Sequence, residues 1–180
     1  MIFLQDEELI LRPLESADSQ GNYPVWLNDT DTWQANSHHR MPYSRSDAAT
    51  FIASVSDLSD ALILAIVKKD SQKHVGNISL KDICYYSRSA ELAILIGESE
   101  GRNSGIGYRA SKLIIDHGFM QLNLHSVNCK TFSNNEAMVS LAKKLGMKYV
   151  GCLRESSFKN GQYLNVEIFD LLKEDYLASL

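Results

Sequence analysis

The chain has 180 residues, of which 44% are hydrophobic and 22% charged, and its formal net charge is −4. This length predicts a single domain spanning residues 1–180, and the composition is typical of a globular protein. The acidic balance provides no basic surface, so a nucleic-acid partner is not expected. No apolar run reaches membrane-spanning length and no secretory leader is visible, so we expect no membrane partner and a cytoplasmic location.

The three cysteines are Cys84, Cys129 and Cys152, an odd number at wide spacing. They form no Cys-x-x-Cys pair, so neither a zinc site nor a disulfide framework is indicated, and we expect no metal. Cys129 stands in a strand-like run and is predicted to be buried. No activating base is evident beside it, so it is not expected to carry an acyl group.

The first half of the chain predicts two helices followed by a hairpin. A short strand covers residues 8–14, and apolar side chains at helical spacing follow at 22–27. A stronger helix covers residues 44–55, where Ser44 or Ser46 is positioned to cap its first turn. Strand-like runs at 61–68 and 74–82 flank a polar turn and read as a hairpin.

The second half alternates strands and helices. A strand at 88–96 precedes a helix at 108–120, and a strand at 126–131 precedes a helix at 135–145 that ends at a glycine. Strands at 149–157 and 163–171, on either side of a turn at 159–161, close the chain. This order predicts an α/β fold with a mixed sheet and helices on both faces.

The loop Arg102–Gly107 is the most informative segment. It follows the apolar strand Ala90–Ile96 and precedes the helix that starts near Tyr108. Glycines let a backbone approach an anion closely, and the first turn of a helix offers unpaired N–H groups and a positive dipole end. The loop is neither a P-loop nor a good dinucleotide fingerprint, but it predicts a pyrophosphate-binding site.

Several short motifs around this loop together resemble the GNAT superfamily of N-acyltransferases, and more narrowly its RimJ/RimL-like branch. They cover most of the chain and are Leu11–Leu14, Arg102–Gly107, Asp116–Phe119, Asn134–Ala137, Lys144–Met147 and Gly151–Glu155. The resemblance implies a central, mostly antiparallel twisted sheet with a parallel pair at the cofactor cleft. It also implies acetyl-CoA as the donor substrate.

The resemblance assigns the parts of acetyl-CoA to specific segments. The backbone of Ile94, Leu95 and Ile96 would hold the pantetheine arm as an added strand. The pyrophosphate would lie on the loop formed by Arg102, Asn103, Ser104, Gly105, Ile106 and Gly107. Asn135 would help to anchor the cofactor arm, although an ordinary helix N-cap is an equally good interpretation of this residue.

Acetyl transfer requires a neutral amine, so a path for one proton is needed. Glu91, at the start of the strand that would carry the cofactor, is the first choice of base. Its apolar neighbours could raise its pKa, and the alternative is a solvent-facing glutamate at a strand edge. Glu167 is the second choice.

The group that protonates the leaving thiolate is open. Many superfamily members place a tyrosine where this chain has Ala142, and the RimJ/RimL-like branch often has a serine where this chain has Met138. Tyr149 is the preferred substitute donor, with Ser133 and Asn134 as further options. Asn165 is another departure, since that branch commonly has aspartate there.

The acceptor is expected to be either a protein N-terminus or a small amine such as a nucleotide-linked amino sugar, and a polyamine or an antibiotic is a further alternative. Five residues are predicted to contact it: Trp26, His38, His39, Arg40 and Tyr85. A non-catalytic acyl-CoA-binding or regulatory module is the alternative function. A homodimer is left open.

Overall fold

The structure is a computed structural model that describes residues 1–30, 32, 41–55, 57–98 and 104–179. The strands in this part of the chain are β1 Leu4–Gln5, β2 Leu9–Pro13, β3 Leu62–Lys68, β4 His74–Cys84, β5 Ser89–Ile96, β6 Ser126–Phe132, β7 Lys148–Lys159 and β8 Gln162–Leu172. The α-helices are α1 Tyr23–Asn28, α2 Arg45–Val55, α3 Ile106–Met120, α4 Glu136–Lys144 and α5 Lys173–Ala178, and a 3-10 helix spans Ser16–Gln20.

All eight strands form one sheet in the order β1-β2-β3-β4-β5-β6-β8-β7. Neighbours are antiparallel except β5 and β6, which are parallel. The parallel register runs from Ser89 opposite Ser126 to Glu91 opposite Asn128 and then stops. Beyond that point residues 92–96 of β5 and 129–132 of β6 do not pair with each other, so the sheet opens between them.

One face of the sheet carries the main core. Helix α3 contributes apolar side chains at helical spacing, and α4 together with its C-cap Leu145 adds two more. The buried helix residues are Ile106, Ala110, Ile114, Ile115, Phe119, Ala142 and Leu145. They pack against alternate residues of the central strands, including Leu80 and Leu92. These side chains share a face because successive residues of a strand point to opposite sides.

Helices α1 and α2 cover part of the opposite face. Tyr23, Trp26 and Leu27 of α1 pack with Ala48 and Ile52 of α2. Leu95 of β5 joins this second cluster. The expected mixed sheet with helices on both faces is therefore confirmed.

The predicted helix and strand boundaries agree closely with the structure. Ser44 caps α2, since its Oγ accepts a hydrogen bond from Asp47 N at 3.1 Å. Gly146 follows α4 with φ of +80°, a conformation that favours glycine. Within the described residues, no helix is long and apolar enough to cross a membrane.

Two short elements at the chain ends were not predicted. Strand β1 has two residues, and its Leu4 pairs with Leu11 of β2. Helix α5 is anchored by Tyr176, whose ring lies 5.2 Å from that of Phe119 between centroids. Both elements are too short to have a recognisable period and are stabilised by tertiary contacts.

Candidate active site

The opening between β5 and β6 has a free backbone edge along residues 92–96. Ile94 and Ile96 direct their side chains into the α3 core, and Leu95 packs with α1 and α2 on the other face. Strand β5 therefore presents its backbone N–H and C=O groups to the opening. An extended ligand containing amide groups could pair with this edge as a strand would, in agreement with the role predicted for these three residues.

The first turn of α3 lies beside the same opening. Gly105 is the N-cap with φ of +85°, where a side chain would be strained, and it has no side chain to cap the N–H groups of the turn. A Cβ placed on Gly107 would lie 3.7 Å from Leu141 Cδ2 and 3.8 Å from Ile94 Cδ1. The turn therefore sits between α4 and β5 and presents the positive end of the helix dipole there.

The rest of the predicted pyrophosphate loop is described only in part. Arg102 and Asn103 lie outside the described residues. Ser104 is exposed, and Ile106 is buried in the main core. Their proposed contacts with the donor stay predictions.

Asn135 is the N-cap of α4. Its Oδ1 accepts a hydrogen bond from Met138 N at 3.1 Å. The N-cap interpretation is therefore correct, and the predicted contact with the cofactor arm remains a separate expectation.

Glu91 lies where the parallel ladder ends. It is 8% exposed, so the alternative of a solvent-facing glutamate is wrong. Its carboxylate lies 2.7 Å from Lys130 Nζ and 2.9 Å from Lys81 Nζ. Burial alone would raise the pKa of Glu91, but the hydrogen bonds from the two lysines outweigh burial and the pKa is lowered.

This shift is opposite to the one that the apolar neighbours in sequence suggested. The two lysines come from β4 and β6, the strands on either side of Glu91. Their effect depends on strand register, which the local sequence does not reveal. The consequence is that Glu91 is ionised throughout the neutral pH range.

Asn128 faces Glu91 across the last pair of the parallel ladder. Its Nδ2 donates a hydrogen bond to the Ala90 carbonyl at 3.1 Å. Its Oδ1 is buried and has no hydrogen-bond partner among the described residues. Sequence reasoning missed Asn128, Lys81 and Lys130, although Asn128 and Lys130 alternate with the buried Val127 and Cys129 and so predict a polar face.

The position expected to hold a proton-donating tyrosine carries no hydroxyl. Ala142 is fully buried in the main core, and Met138 packs against the same core. Tyr149 is 58% exposed, and its ring packs edge-on against Phe169 of β8. Since β8 separates β7 from β6, Tyr149 lies two strand spacings, roughly 10 Å, from β6, so its role as donor stays a prediction.

Glu167, the second candidate base, lies on the face opposite Glu91. It pairs in register with Thr131, which alternates onto the same face as the core residue Cys129. Cys129 is itself fully buried as predicted, and burial raises the pKa of its thiol to about 12.

Trp26 is a buried packing residue in the cluster that Leu95 joins. It is 4% exposed, and its indole Nε1 donates a hydrogen bond to Glu98 Oε1 at 2.9 Å. A Cβ on Gly97 would lie 1.9 Å from the Trp26 ring. The indole is enclosed by the end of β5, and the expectation that Trp26 contacts the acceptor stays a prediction.

The other predicted acceptor residues are less constrained. Tyr85 is 64% exposed in the β4–β5 turn, and its hydroxyl donates to the Ser59 carbonyl at 3.0 Å. His38, His39 and Arg40 lie outside the described residues. Among the residues that are described, no three His, Cys, Asp or Glu side chains converge as metal ligands.

Asn165 has a structural contact that explains its polarity. Its Oδ1 accepts a hydrogen bond from Glu155 N at 2.8 Å. Glu155 has φ of +48°, at an irregularity in the β7–β8 pairing. An amide oxygen satisfies this backbone N–H as a carboxylate oxygen would, so the departure from aspartate keeps the contact.

Comparison with known proteins matches this architecture to one family. The profile of the acetyltransferase (GNAT) domain matches residues 8–148. The spermidine N(1)-acetyltransferase of Escherichia coli (strain K12) is 31% identical over 93% of this chain and 88% of its own length.

Solved structures show the same fold. The spermidine N-acetyltransferase from Vibrio cholerae, in complex with CoA and spermine, superposes with a TM-score of 0.84 over 96% of this chain and 99% of its own, at 24% identity. Mycobacterium smegmatis RimJ, in complex with CoA-disulfide, superposes with a TM-score of 0.83 over 93% of this chain and 83% of its own, at 16% identity. RimJ shares the fold alone, so the RimJ/RimL-like placement gains no support beyond it.

The family profile covers most of the chain, and the opening, the free strand edge and the glycine-led helix agree with it. The expectation of an acetyl-CoA-dependent N-acetyltransferase is confirmed. The chain belongs to the GNAT family of acetyltransferases.

Proposed function

We propose that this chain transfers the acetyl group of acetyl-CoA to a primary amine of a small molecule by direct attack in a ternary complex. The observation that carries the proposal is the position of Glu91. It places a buried, ionised carboxylate where the β5–β6 ladder ends, beside the free backbone edge that suits the donor. A linear polyamine such as spermidine is the first acceptor to test, because the Escherichia coli relative is named for it.

The donor would be held by backbone groups. Residues Ile94, Leu95 and Ile96 offer the strand edge to the pantetheine amides, and the turn Gly105–Gly107 offers its N–H groups to the pyrophosphate. Two segments of the chain then fix the thioester relative to Glu91. Positioning of this kind supplies much of the rate of a reaction that needs no covalent enzyme intermediate.

Glu91 would act on the acceptor side. Ammonium groups of alkyl amines have pKa values near 10, so the neutral amine is a minor species at pH 7. An ionised carboxylate attracts the ammonium and accepts a hydrogen bond from it, or from a water that carries its proton away. Because its lysine partners lower the pKa of Glu91, it orients the amine and relays the proton instead of storing it.

Two other acceptors are candidates, one a small molecule and the other a peptide. A nucleotide-linked amino sugar and a peptide N-terminus also present a primary amine. The peptide N-terminus has the weaker support, because RimJ is alike in fold alone.

A non-catalytic acyl-CoA-binding module is the second candidate. The specific observation in its favour is the absence of a hydroxyl at Ala142 and Met138, which leaves the thiolate without its expected proton donor. A module of this kind would keep the backbone contacts to the donor and lack turnover.

Thiol release from acetyl-CoA with a panel of amines tests the proposal. The panel contains spermidine, a nucleotide-linked amino sugar and a short peptide with a free N-terminus, with binding of acetyl-CoA measured separately by calorimetry. We expect turnover with a small amine. Tight binding of acetyl-CoA without turnover on any amine would instead favour the binding module.

We also propose that the chain self-associates, at least as a homodimer. The Vibrio cholerae spermidine N-acetyltransferase has been solved as a dodecamer. Sedimentation of the purified protein over a range of concentrations measures its oligomeric state, and a monomer at all concentrations would contradict the proposal.

A further inference from the structure

Four side chains lie in one row across the sheet at the point where it opens. Lys81 of β4, Glu91 of β5, Asn128 of β6 and Asp170 of β8 are successive partners in the strand register. Neighbouring strands are roughly 4.8 Å apart, so Asn128 sits between the carboxylates of Glu91 and Asp170. The row faces away from α3, on the side from which an acceptor can approach a donor bound along β5 and α3.

Asn128 belongs to the last pair of the parallel ladder, and only one half of its side-chain amide is hydrogen-bonded. Its Nδ2 donates to the Ala90 carbonyl. Its Oδ1 has lost contact with solvent and lacks a partner among the described residues. A buried amide oxygen without a hydrogen bond is costly, and native proteins retain few of them. This unpaired acceptor therefore requires a donor, and it lies next to the proposed base.

A primary amine can supply that donor. The neutral amine has one lone pair and two N–H groups. When the lone pair is directed at the thioester carbon, one N–H can point to Glu91 and the other to Asn128. An amide oxygen accepts a hydrogen bond but does not take up a proton near neutral pH. Asn128 would thus orient the amine while Glu91 receives the proton that must leave.

We propose that Asn128 contacts the acceptor, with its Oδ1 accepting a hydrogen bond from the attacking amine. The inference rests on the proposed acetyl transfer. In that step an N–C bond forms, the C–S bond breaks, the sulfur leaves with the electron pair, and the amine loses one proton toward Glu91. Asn128 takes part in none of the bond changes and fixes the direction of attack.

Two substitutions separate the two halves of the amide. Asn128→Leu removes both the Oδ1 acceptor and the Nδ2 donor at similar volume. Asn128→Thr keeps an uncharged oxygen that can accept a hydrogen bond and removes the amide donor to Ala90. Gln162→Leu, at the exposed start of β8, is the control for adding an apolar side chain.

Steady-state kinetics with acetyl-CoA and the best amine of the panel provide the readout. We expect Asn128→Leu to lower kcat by about tenfold with an unchanged affinity for acetyl-CoA in calorimetry. Asn128→Thr should recover part of that loss, and Gln162→Leu should behave as wild type.

Equal losses in the Leu and Thr variants would overturn the inference, because the hydrogen bond to the Ala90 carbonyl would then carry the effect. An active Leu variant would also overturn it and leave Asn128 as a buried amide satisfied by water. Failure of the wild-type protein to turn over any amine would overturn the proposed function, and this inference with it. Turnover by the wild type together with an unaffected Leu variant would overturn the inference alone.

Discussion

Asp18 and Glu91 are both buried carboxylates flanked by two basic side chains, but their partners differ in stiffness and exposure. Asp18 accepts two hydrogen bonds from the Arg12 guanidinium at 2.8 Å each and lies 3.2 Å from His74 Nδ1. The side chains of Arg12 and His74 are 18% and 14% exposed. Those of Lys81 and Lys130, which flank Glu91, are 45% and 48% exposed.

The difference separates a carboxylate that holds the fold from one that is available for chemistry. A bidentate guanidinium fixes the plane of the Asp18 carboxylate, and the pair has little contact with solvent. Lysine ammonium groups on flexible stems can rotate away, so a ligand can compete for Glu91. Mutation of Asp18 should mainly lower stability, and mutation of Glu91 should mainly lower turnover.

Asp18→Asn should have the largest effect. It keeps the side-chain volume but leaves the largely buried Arg12 guanidinium without its carboxylate, and breaking a buried ion pair costs about 3–5 kcal/mol. Urea unfolding followed by circular dichroism measures the loss. Asp60→Asn, at an exposed position, is the control and should change stability by less than about 0.5 kcal/mol.

The stability supplied by Asp18 should also depend on pH. Arg12 and His74 hold the pKa of Asp18 well below its usual range against the opposing effect of burial. A carboxylate with a depressed folded-state pKa contributes fully above its unfolded value, near 3.9, and loses that contribution as the pH falls further. The difference in free energy of unfolding between wild type and Asp18→Asn should therefore narrow below about pH 4. A difference that stays constant with pH would contradict the stabilising role of the Asp18 carboxylate.

Glu91→Gln should affect turnover more than stability. Loss of the carboxylate removes the group that attracts the ammonium and receives its proton, and kcat/KM should fall by about a hundredfold. The freed lysines can move into solvent, so the loss of stability should be smaller than for Asp18→Asn. Thiol release with the best amine measures the first effect and urea unfolding the second.

Glu98→Gln is the matched control for this change. Glu98 lies just beyond the other end of β5 and accepts hydrogen bonds from Trp26 and Asn22. We expect this variant to lose stability and keep its kcat. Unchanged turnover in Glu91→Gln would remove Glu91 from the mechanism.

Gly97→Ala tests the closed end of β5. The added Cβ would fall 1.9 Å from Trp26 Cδ2, and overpacking of this kind costs about 1–3 kcal/mol. Combining it with Trp26→Leu should restore part of the stability, because the smaller side chain removes the clash. Purely additive losses in the double variant would show that Trp26 is not the source of the effect.

The sequence predicted the elements well because their signals are local. Ser44 and the apolar spacing after it define α2, and the alternating runs define the hairpins. The position of Glu91 at the start of a strand was also visible. The surroundings of Glu91 were not visible in the sequence, since Lys130 is 39 residues away and reaches Glu91 only through the β5–β6 register.

The same limit explains why the burial of Trp26 was not predicted. Aromatic side chains near a helix start are compatible with a pocket or with a core, and the sequence pattern does not distinguish them. Enclosure of the indole depends on Gly97 and Glu98, which follow β5 far along the chain. Local patterns thus predicted the helices and strands better than the surroundings of the side chains on them.

Lys130→Met should have the smallest effect on activity, and it tests the protonation of Glu91 most directly. The groups that act on Glu91 are Lys81 and Lys130, with the buried Cys129 thiol nearby and Asp82 close to Lys130. Removing Lys130 takes away the larger of the two lysine hydrogen-bond contributions, so the pKa of Glu91 should rise. Since the ionised form is the active one, activity should then be lost at a higher pH as the solution is acidified.

The pH profile of kcat/KM measures this change, and the rate at pH 8 should differ from wild type by less than about threefold because Glu91 remains ionised there. Lys148→Met is the control, since Lys148 pairs with Asp175 at an exposed site and should leave the profile unchanged. A profile that does not move in Lys130→Met would mean that the acid limb reports another group. The contrast between Asp18 and Glu91 would then rest on geometry alone, with the flexible lysines tuning no step of turnover.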